Sequence, residues 1–294
     1  MGRSRALSIM EGTGNGSLAR GEIWIAPAVL ESRGLSNSAA GVADLSAMLG
    51  ADICFVSCSG PQAVAREADA QQAAVSLVHS RDLACGAVVD GPWQRLAERH
   101  GLIQLLAMVG GRLAEAEREV SSQMAFVGEE VRAWCEASAD LVLLTDDVAY
   151  NRGLYFSSAL FARLLLPHYR QVLQVAGEHG APMGFHSDGD VTLLLPTLLD
   201  AGFSFFSLEP EVMDMHEVRR LHGDGFSLIS GIRAEWLSAS GGVRARDIDL
   251  PREISSLCRV RRLILASSCG LYEPSSVALL EKVYRVADSL AEEG

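Results

Sequence analysis

Hydrophobic residues along the chain fall into short continuous runs, and longer segments with helical spacing separate these runs. Apolar runs rich in β-branched and aromatic residues, each closed by small or polar residues, predict buried strands. The predicted strands are Ile53–Ser57, Ala87–Asp90, Leu141–Asp146, Met183–His186, Phe203–Leu208, Phe226–Ser230 and Leu263–Ser267. Between them, apolar residues return every three or four positions, as in Leu160–Glu178 and Val191–Ala201, and predict helices. The pattern is therefore strand, helix, strand.

Strands that are apolar on both faces indicate a parallel sheet covered by helices, which is either an open doubly wound sheet or a closed barrel. No G-x-G-x-x-G segment follows the first strand and no G-x-x-x-x-G-K-[ST] segment occurs, so the nucleotide-binding open sheet loses its main support. We therefore predict a single-domain (β/α)8 TIM barrel. The eighth strand has no clear pattern, and the region Ala73–His79 and the region around Ile103 are its two candidates.

The first residues contain three arginines and no continuous apolar segment, so we predict no cleaved secretory signal. We expect residues 1–20 to be a mobile N-terminal arm and residues 21–294 to form the barrel. No apolar run approaches the roughly 20 residues needed to cross a bilayer.

The formal charge of −12, from 25 Lys and Arg against 37 Asp and Glu, repels a phosphate backbone and an anionic membrane surface. We therefore expect neither nucleic acid nor a membrane as a partner. Six cysteines without a C-x-x-C pair do not predict a disulfide framework, and they favour a reducing cytoplasm.

Polar residues placed just after the apolar runs are candidates for chemistry, because strand ends converge on the active face of a parallel barrel. This filter selects Asp90, Asp146, Asp147, His186, Asp188, Glu209 and Cys269. We interpret Asp188, Asp146 and Glu209 as catalytic. We interpret Asp90, Asp147, Tyr150 and Arg152 as substrate-binding, with Tyr150 as an aromatic wall and Arg152 as a cation that pairs with the aspartates or with an anionic substrate.

His186 and Asp188 are two residues apart at a strand end, where both side chains can face the same side. With Cys269 they would offer nitrogen, oxygen and sulfur ligands, and a catalytic zinc has three protein ligands and one open position. The alternative is a hydrogen-bonded barrel histidine at His186, with Asp190 as the N-cap of a helix that begins at Val191.

The stretch from TDDVAYNRGLYF to MGFHSDGDV, continued by LLDAGFSFFSLEPEVMD, resembles the uroporphyrinogen decarboxylase superfamily, particularly its methyltransferase-like branch. The resemblance implies a (β/α)8 barrel with its site at the strand ends. The decarboxylases have an M-R-Q-A-G-R-Y segment and a later F-S-D-I-type segment, whereas this chain has GEIWIAPAVLESRG and ADICFVSCSG. Without those arginines the carboxylates of a porphyrinogen would have no cationic clamp, so we do not expect porphyrin decarboxylation.

The methyltransferases of this superfamily have an H-x-C motif and a later C-G motif. His186 and Cys269 match these motifs, whereas Asp188 stands where a cysteine is expected. The resemblance implies zinc, which would hold a thiol as thiolate, and methylcobalamin or a corrinoid protein as methyl donor or acceptor. We predict a corrinoid-dependent methyltransferase acting with a small-molecule methyl acceptor or donor.

Three alternatives to zinc-dependent methyl transfer remain open. The first is a decarboxylase or lyase that acts on a small carboxylate substrate. The second is a non-catalytic, corrinoid-binding accessory barrel. The third, in the absence of zinc, is an amine or pterin acceptor bound through Asp146, Asp147 and Glu209.

Overall fold

The computed structural model describes residues 2–14, 18–238, 248–267 and 270–292. Within these ranges, eight parallel strands form one sheet, and a two-stranded antiparallel hairpin lies outside it. The strands are β1 Ala19–Arg20, β2 Ile53–Ser57, β3 Ala84–Asp90, β4 Leu141–Thr145, β5 Ala149–Tyr150, β6 Gly153–Leu154, β7 Met183–His186, β8 Phe205–Ser207, β9 Ser227–Ile232 and β10 Leu263–Ser267. β5 and β6 are the strands of the hairpin.

The eight-stranded sheet is a nearly closed barrel. Its strand order is β1-β10-β9-β8-β7-β4-β3-β2. The two end strands approach each other, because the Asp52 amide donates to the Arg20 carbonyl at 2.8 Å and the Arg20 amide donates to the Asp52 carboxylate at 3.0 Å. The predicted single-domain (β/α)8 barrel is confirmed.

Helices surround the barrel and connect its strands. They are α1 Gly2–Glu11, α2 Pro27–Ser32, α3 Ala39–Met48, α4 Ala68–His79, α5 Pro92–His100, α6 Leu102–Gly111, α7 Leu113–Glu136, α8 Ser158–Leu164, α9 Leu166–Glu178, α10 Leu195–Ala201, α11 Met215–His222, α12 Leu250–Leu257 and α13 Ser276–Glu292. Among the helices described, none is both long enough and apolar enough to cross a membrane.

The core has two layers, because each barrel strand buries both of its faces. In β2, Ile53 and Phe55 point into the barrel, whereas Cys54 and Val56 pack against the helices outside it. The interior is tightly filled. At Gly184 in β7, a Cβ atom would lie 2.1 Å from the ring of Phe205, so a glycine is required there.

The N-terminal segment differs from the predicted mobile arm. Residues 2–11 form helix α1, which lies across the amino ends of the strands and adds Ala6, Ile9 and Met10 to the apolar interior. Polar contacts hold it there, including the 2.7 Å ion pair between Arg5 and Asp52. The buried face of α1 explains why this segment is ordered.

The position of the eighth strand also differs from both candidates. The strand is β1, Ala19–Arg20, within the segment for which an arm was predicted. Residues 73–79 lie in α4 and Ile103 lies in α6. Both candidate positions are therefore wrong, because their apolar residues belong to helices, which bury Val75, Val78 and Leu105 and leave Ile103 itself exposed.

Two predicted helices are shorter than the periodicity indicates. The segment Leu160–Glu178 is divided at Leu165 into α8 and α9, with Pro167 in the first turn of α9. The helix expected from Val191 begins at Leu195 instead. Asp190 therefore caps a turn, in which its Oδ1 accepts the Thr192 amide at 2.9 Å, rather than a helix.

Candidate functional site

A cavity of about 570 Å³ opens at the carboxyl ends of the barrel strands. Its polar side is formed by β3, β4 and β7, which are neighbours in the sheet. Asp90 ends β3, Thr145 ends β4 and His186 ends β7, and the following loops add Asp147 and Asp188. Convergence at the strand ends therefore brings together residues that are about 100 positions apart in the sequence.

The other side of the cavity is largely apolar, with Ser57, Ser59 and Gln62 as its polar residues. Its residues come from β2, from β3 and from the segment after β1, and they include Ile23, Trp24, Ile25, Phe55, Val56 and Val88. The cavity therefore joins an acidic side to an apolar side.

His186 is held in one orientation at the centre of the polar side. Its Nδ1 lies 2.9 Å from the hydroxyl of Ser207, at the end of the neighbouring strand β8. Its Nε2 lies 3.6 Å from Oδ1 of Asp188. When Nδ1 carries the proton and donates to Ser207, the lone pair of Nε2 is available to a metal or a proton.

Asp147, His186 and Asp188 form a group that can hold a metal ion. Each residue offers one ligand atom, and these atoms lie within 4.8 Å of one another. One imidazole and two carboxylates are a donor set that zinc accepts. Among the described residues, Asp147 thus joins the predicted pair of His186 and Asp188. Cys269, the third predicted ligand, lies outside the described residues.

The loop that carries Asp188 is fixed by backbone hydrogen bonds. The Asp188 amide donates to Oδ1 of Asp147 at 2.9 Å, and the Gly189 amide donates to Oε2 of Glu209 at 2.9 Å. Gly189 has a φ of +83°, and a Cβ there would lie 2.5 Å from the backbone of Tyr150. Only glycine fits this position without strain.

The environment of the loop raises the pKa of Asp188. Desolvation raises the pKa of its carboxyl, and the neighbouring His186 opposes this shift. The negative charges of Asp147, Glu209 and Glu211 raise this pKa further. Asp188 is therefore suited to hold a proton or to receive a positively charged group.

Asp146, which we predicted to be catalytic, does not line the cavity. Its carboxylate is fully buried and accepts hydrogen bonds from the Gln94 amide at 2.6 Å and from the Tyr169 hydroxyl. Desolvation raises the pKa of Asp146 to about 7, and these hydrogen bonds partly oppose the shift. Asp146 joins β4 to α5 and α9, so the structure places it in the scaffold.

The remaining predicted residues divide into two groups. Asp90 and Asp147 line the cavity as expected. Tyr150 is stacked on Tyr155, with ring centroids 5.6 Å apart, and Arg152 is exposed at the turn of the hairpin, so neither lines the cavity. Glu209 acts on the cavity through its bond to Gly189 rather than by lining it.

Sequence reasoning missed Trp24, Thr145 and Ser207. Thr145 and Ser207 end β4 and β8, so the filter that selected Asp90 could have found them. Trp24 could not be found in this way, because it follows β1, a two-residue strand that leaves no periodic signal.

The fold and the position of the cavity define a TIM-barrel protein with a candidate ligand site at the carboxyl ends of the strands. A family model described as uroporphyrinogen decarboxylase (URO-D) matches residues 61–286. The chain therefore belongs to the uroporphyrinogen decarboxylase family. No match was found among curated proteins.

Solved structures share this fold at low sequence identity. A methyltransferase from Methanosarcina mazei is 14% identical, with a TM-score of 0.75 and 99% of each chain covered. A D-allulose 3-epimerase from Methylomonas sp. is 12% identical, with a TM-score of 0.56 and coverage of 93% of this chain and 97% of that chain. A β-mannanase from the blue mussel Mytilus edulis is 10% identical, with a TM-score of 0.54 and coverage of 90% and 91%. These similarities show the barrel.

Proposed function

We propose that this protein is a methyltransferase of a corrinoid-dependent methyl-transfer system. The observation that carries the proposal is the convergence of Asp147, His186 and Asp188 on one cavity at the strand ends. Membership of the URO-D family and the full-length similarity to a methyltransferase fold support it. In this proposal a small methyl acceptor or donor occupies the cavity, and methylcobalamin or a corrinoid protein approaches its opening.

The donor set fits zinc. His186 and Asp188 would hold the metal with Asp147, and Cys269 is a further proposed ligand on the strength of the sequence alone. When bound, zinc would supply the positive charge that keeps a thiol acceptor in its thiolate form at neutral pH. The Ser207 hydroxyl would keep the proton of His186 on Nδ1, so that Nε2 faces the metal.

The chain's own residues have two further roles in this proposal. Asp188 would bind a positive charge, either the metal or a proton, because burial and the neighbouring carboxylates raise the pKa of its carboxyl and a bound positive charge offsets both effects. Glu209 would position Asp188 by fixing the next residue, Gly189, at 2.9 Å. Both roles act at the polar side of the cavity, while the apolar side excludes water from the transferred methyl group.

Decarboxylation of a porphyrinogen is not supported. Such a substrate carries many carboxylates, which require bidentate cationic partners. Among the described residues that line the cavity there is no lysine or arginine. The same lack of cations disfavours a decarboxylase or lyase that acts on a small carboxylate. A non-catalytic corrinoid-binding barrel would bind methylcobalamin without transferring its methyl group.

The experiment combines metal analysis with turnover. We expect purified protein to contain zinc at up to one equivalent, and both His186→Ala and Cys269→Ser to lose it. We also expect the wild type to demethylate methylcobalamin in the presence of a thiol or an amine from a panel. Asp200→Asn, an exposed substitution on α10, is the matched control.

Two results would count against the proposal. If both variants keep full zinc, these residues do not form the metal site. If the wild type binds methylcobalamin but transfers no methyl group to any acceptor, the accessory-barrel function is favoured instead.

A further inference from the structure

The described lining of the cavity contains negatively charged side chains and no positively charged lysine or arginine. The acidic residues among its described lining are Asp90, Glu98, Asp147 and Asp188, and none of the described lining residues is a lysine or arginine. Arg95 follows the lining residue Gln94 in the sequence, but its guanidinium group is hydrogen-bonded to other residues. Its Nη2 donates to Glu130 at 2.9 Å and its Nε donates to the backbone carbonyl of Asp90 at 2.8 Å. An anionic substituent placed away from the proposed metal ligands would therefore be desolvated without a cationic side chain as partner.

Trp24 is an aromatic residue of the cavity wall, and its backbone is tied to the segment after β10. The Leu271 amide donates to the Trp24 carbonyl at 2.8 Å, and Ile25 pairs with Leu271 in an isolated parallel bridge. These contacts fix Trp24 relative to the barrel.

Two glycines leave room for the Trp24 side chain. A Cβ at Gly60 would lie 3.0 Å from the indole ring, and a Cβ at Gly270 would lie 2.7 Å from Cβ of Trp24. Both glycines have φ values near +80°, which side chains rarely adopt. Gly60 thus leaves room for the indole, and Gly270 leaves room for the backbone and Cβ of Trp24.

We propose that the small molecule bound in this cavity is an organic ammonium ion with compact apolar substituents. An aromatic face attracts a cation that has lost part of its hydration. Asp90 and Glu98, carboxylates of the same lining that are not proposed metal ligands, supply the opposite charge, and the apolar lining residues accommodate the substituents. An alkylated ammonium ion combines these three features.

This inference rests on the proposed function and specifies the chemical class of its small-molecule partner. It holds whether that molecule donates or accepts the methyl group. It also disfavours a thiol that carries an anionic substituent. A sulfonate or carboxylate substituent would meet Asp90 and Glu98, the two lining carboxylates that are not proposed metal ligands, and no cationic side chain in the described lining. We therefore expect the charge of the ligand, rather than its shape, to determine its affinity.

The test compares three probes of one shape by calorimetric titration of the protein as purified, without corrinoid. They are choline, its neutral carbon isostere 3,3-dimethylbutan-1-ol, and the anion 3,3-dimethylbutanoate. We expect choline to bind at least tenfold more tightly than the neutral isostere, and the anion to bind more weakly than both. Equal or tighter binding of the neutral or anionic probe would overturn the inference.

Two variants localise the effect. Trp24→Leu should weaken choline binding at least fivefold and change the affinity of the neutral isostere by less than twofold. Asp90→Asn should weaken choline binding in the same way, and Asp200→Asn should leave it unchanged. Choline binding that is insensitive to Trp24→Leu and Asp90→Asn would place the ammonium site elsewhere and contradict the inference.

Equilibrium binding is independent of methyl transfer. Selective ammonium binding without any methyl transfer would contradict the proposed function alone. Methyl transfer to an acceptor together with charge-independent binding would contradict the ammonium inference alone.

Discussion

Asp146 and Asp147 are adjacent in the sequence and have opposite environments. Asp147 lines the cavity and supports Asp188, whereas Asp146 is fully buried between β4 and two helices. A sequence of two aspartates after an apolar run predicts that carboxylates lie at a strand end. It does not show which one faces the cavity, because that depends on how the loop after the strand turns.

The buried carboxyl of Asp146 predicts a pH dependence of stability. Because its pKa is raised to about 7, the folded protein retains a proton that the unfolded chain releases near the ordinary pKa of an aspartate. Its contribution to stability is therefore full at low pH and is lost as the pH rises toward 7. We expect Asp146→Asn to lose less stability than the wild type between pH 5 and pH 7.5, measured by urea unfolding.

Each unit of pKa difference corresponds to about 1.4 kcal/mol, so the difference between the two proteins should be measurable. Asp200→Asn should retain the pH dependence of the wild type. Identical pH dependence in the wild type and Asp146→Asn would show that this carboxyl does not retain its proton on folding.

The hydrogen bond between Ser207 and Nδ1 of His186 allows a test of how the imidazole is oriented. Removing its hydroxyl leaves Nδ1 of His186 without the partner that lies at 2.9 Å. We expect Ser207→Ala to lower zinc affinity about 10- to 100-fold, as is typical when a metal-binding histidine loses its hydrogen-bond partner. Zinc affinity is measured by competition with a chromogenic chelator.

Ser204→Ala is the matched control for Ser207→Ala. Ser204 precedes β8 at the opposite end, and its hydroxyl bonds to the Met183 carbonyl at 3.3 Å. We expect its zinc affinity to be unchanged. Equal zinc affinities of Ser207→Ala and Ser204→Ala would show that Ser207 does not orient His186 for metal binding.

At the scale of elements, the sequence predicts buried strands of four or five residues best, whereas the bounds of the longest strands, β3 and β9, differ from the prediction. The bounds of β2, β7 and β10 are the same in prediction and structure. These strands are buried on both faces, and so each appears as a continuous apolar run. β1 contains two residues and α1 has only three fully buried positions, which is too little to give a recognisable period.

Because α1 packs against the barrel, a substitution on its buried side should lower stability, which a substitution in a mobile arm would not do. Ile9 is buried in the barrel interior. We expect Ile9→Ala to lower the free energy of unfolding by about 2–5 kcal/mol, because it leaves a cavity in a packed core. Ser4→Ala, on the exposed side of the same helix, should change it by less than about 0.5 kcal/mol. Urea unfolding measures both, and an unchanged stability of Ile9→Ala would show that α1 does not close the barrel.

At the scale of the whole molecule, the fold could be predicted and the site only partly. The pattern of apolar runs is sufficient to indicate a (β/α)8 barrel, and strand ends identify Asp90, Asp147, His186 and Asp188. The apolar wall around Trp24 depends on how the segments after β1 and β10 meet. Contacts between segments so far apart in the sequence have no local signal.

The charge of the cavity predicts which substrates the protein rejects. Uroporphyrinogen should not be decarboxylated, because the described lining offers its carboxylates no arginine or lysine. Chromatography of the reaction products after anaerobic incubation measures this. Stepwise formation of coproporphyrinogen would contradict the account of the cavity.

The central claim is that this cavity is the site of methyl transfer from or to a corrinoid. The most direct measurement is the rate of methylcobalamin demethylation, followed by its absorbance, in the wild type, His186→Ala, Asp188→Asn and Asp200→Asn. We predict that the wild type and Asp200→Asn transfer the methyl group at similar rates, and that both cavity variants are at least 100-fold slower while remaining folded. Equal rates in all four proteins would contradict the claim.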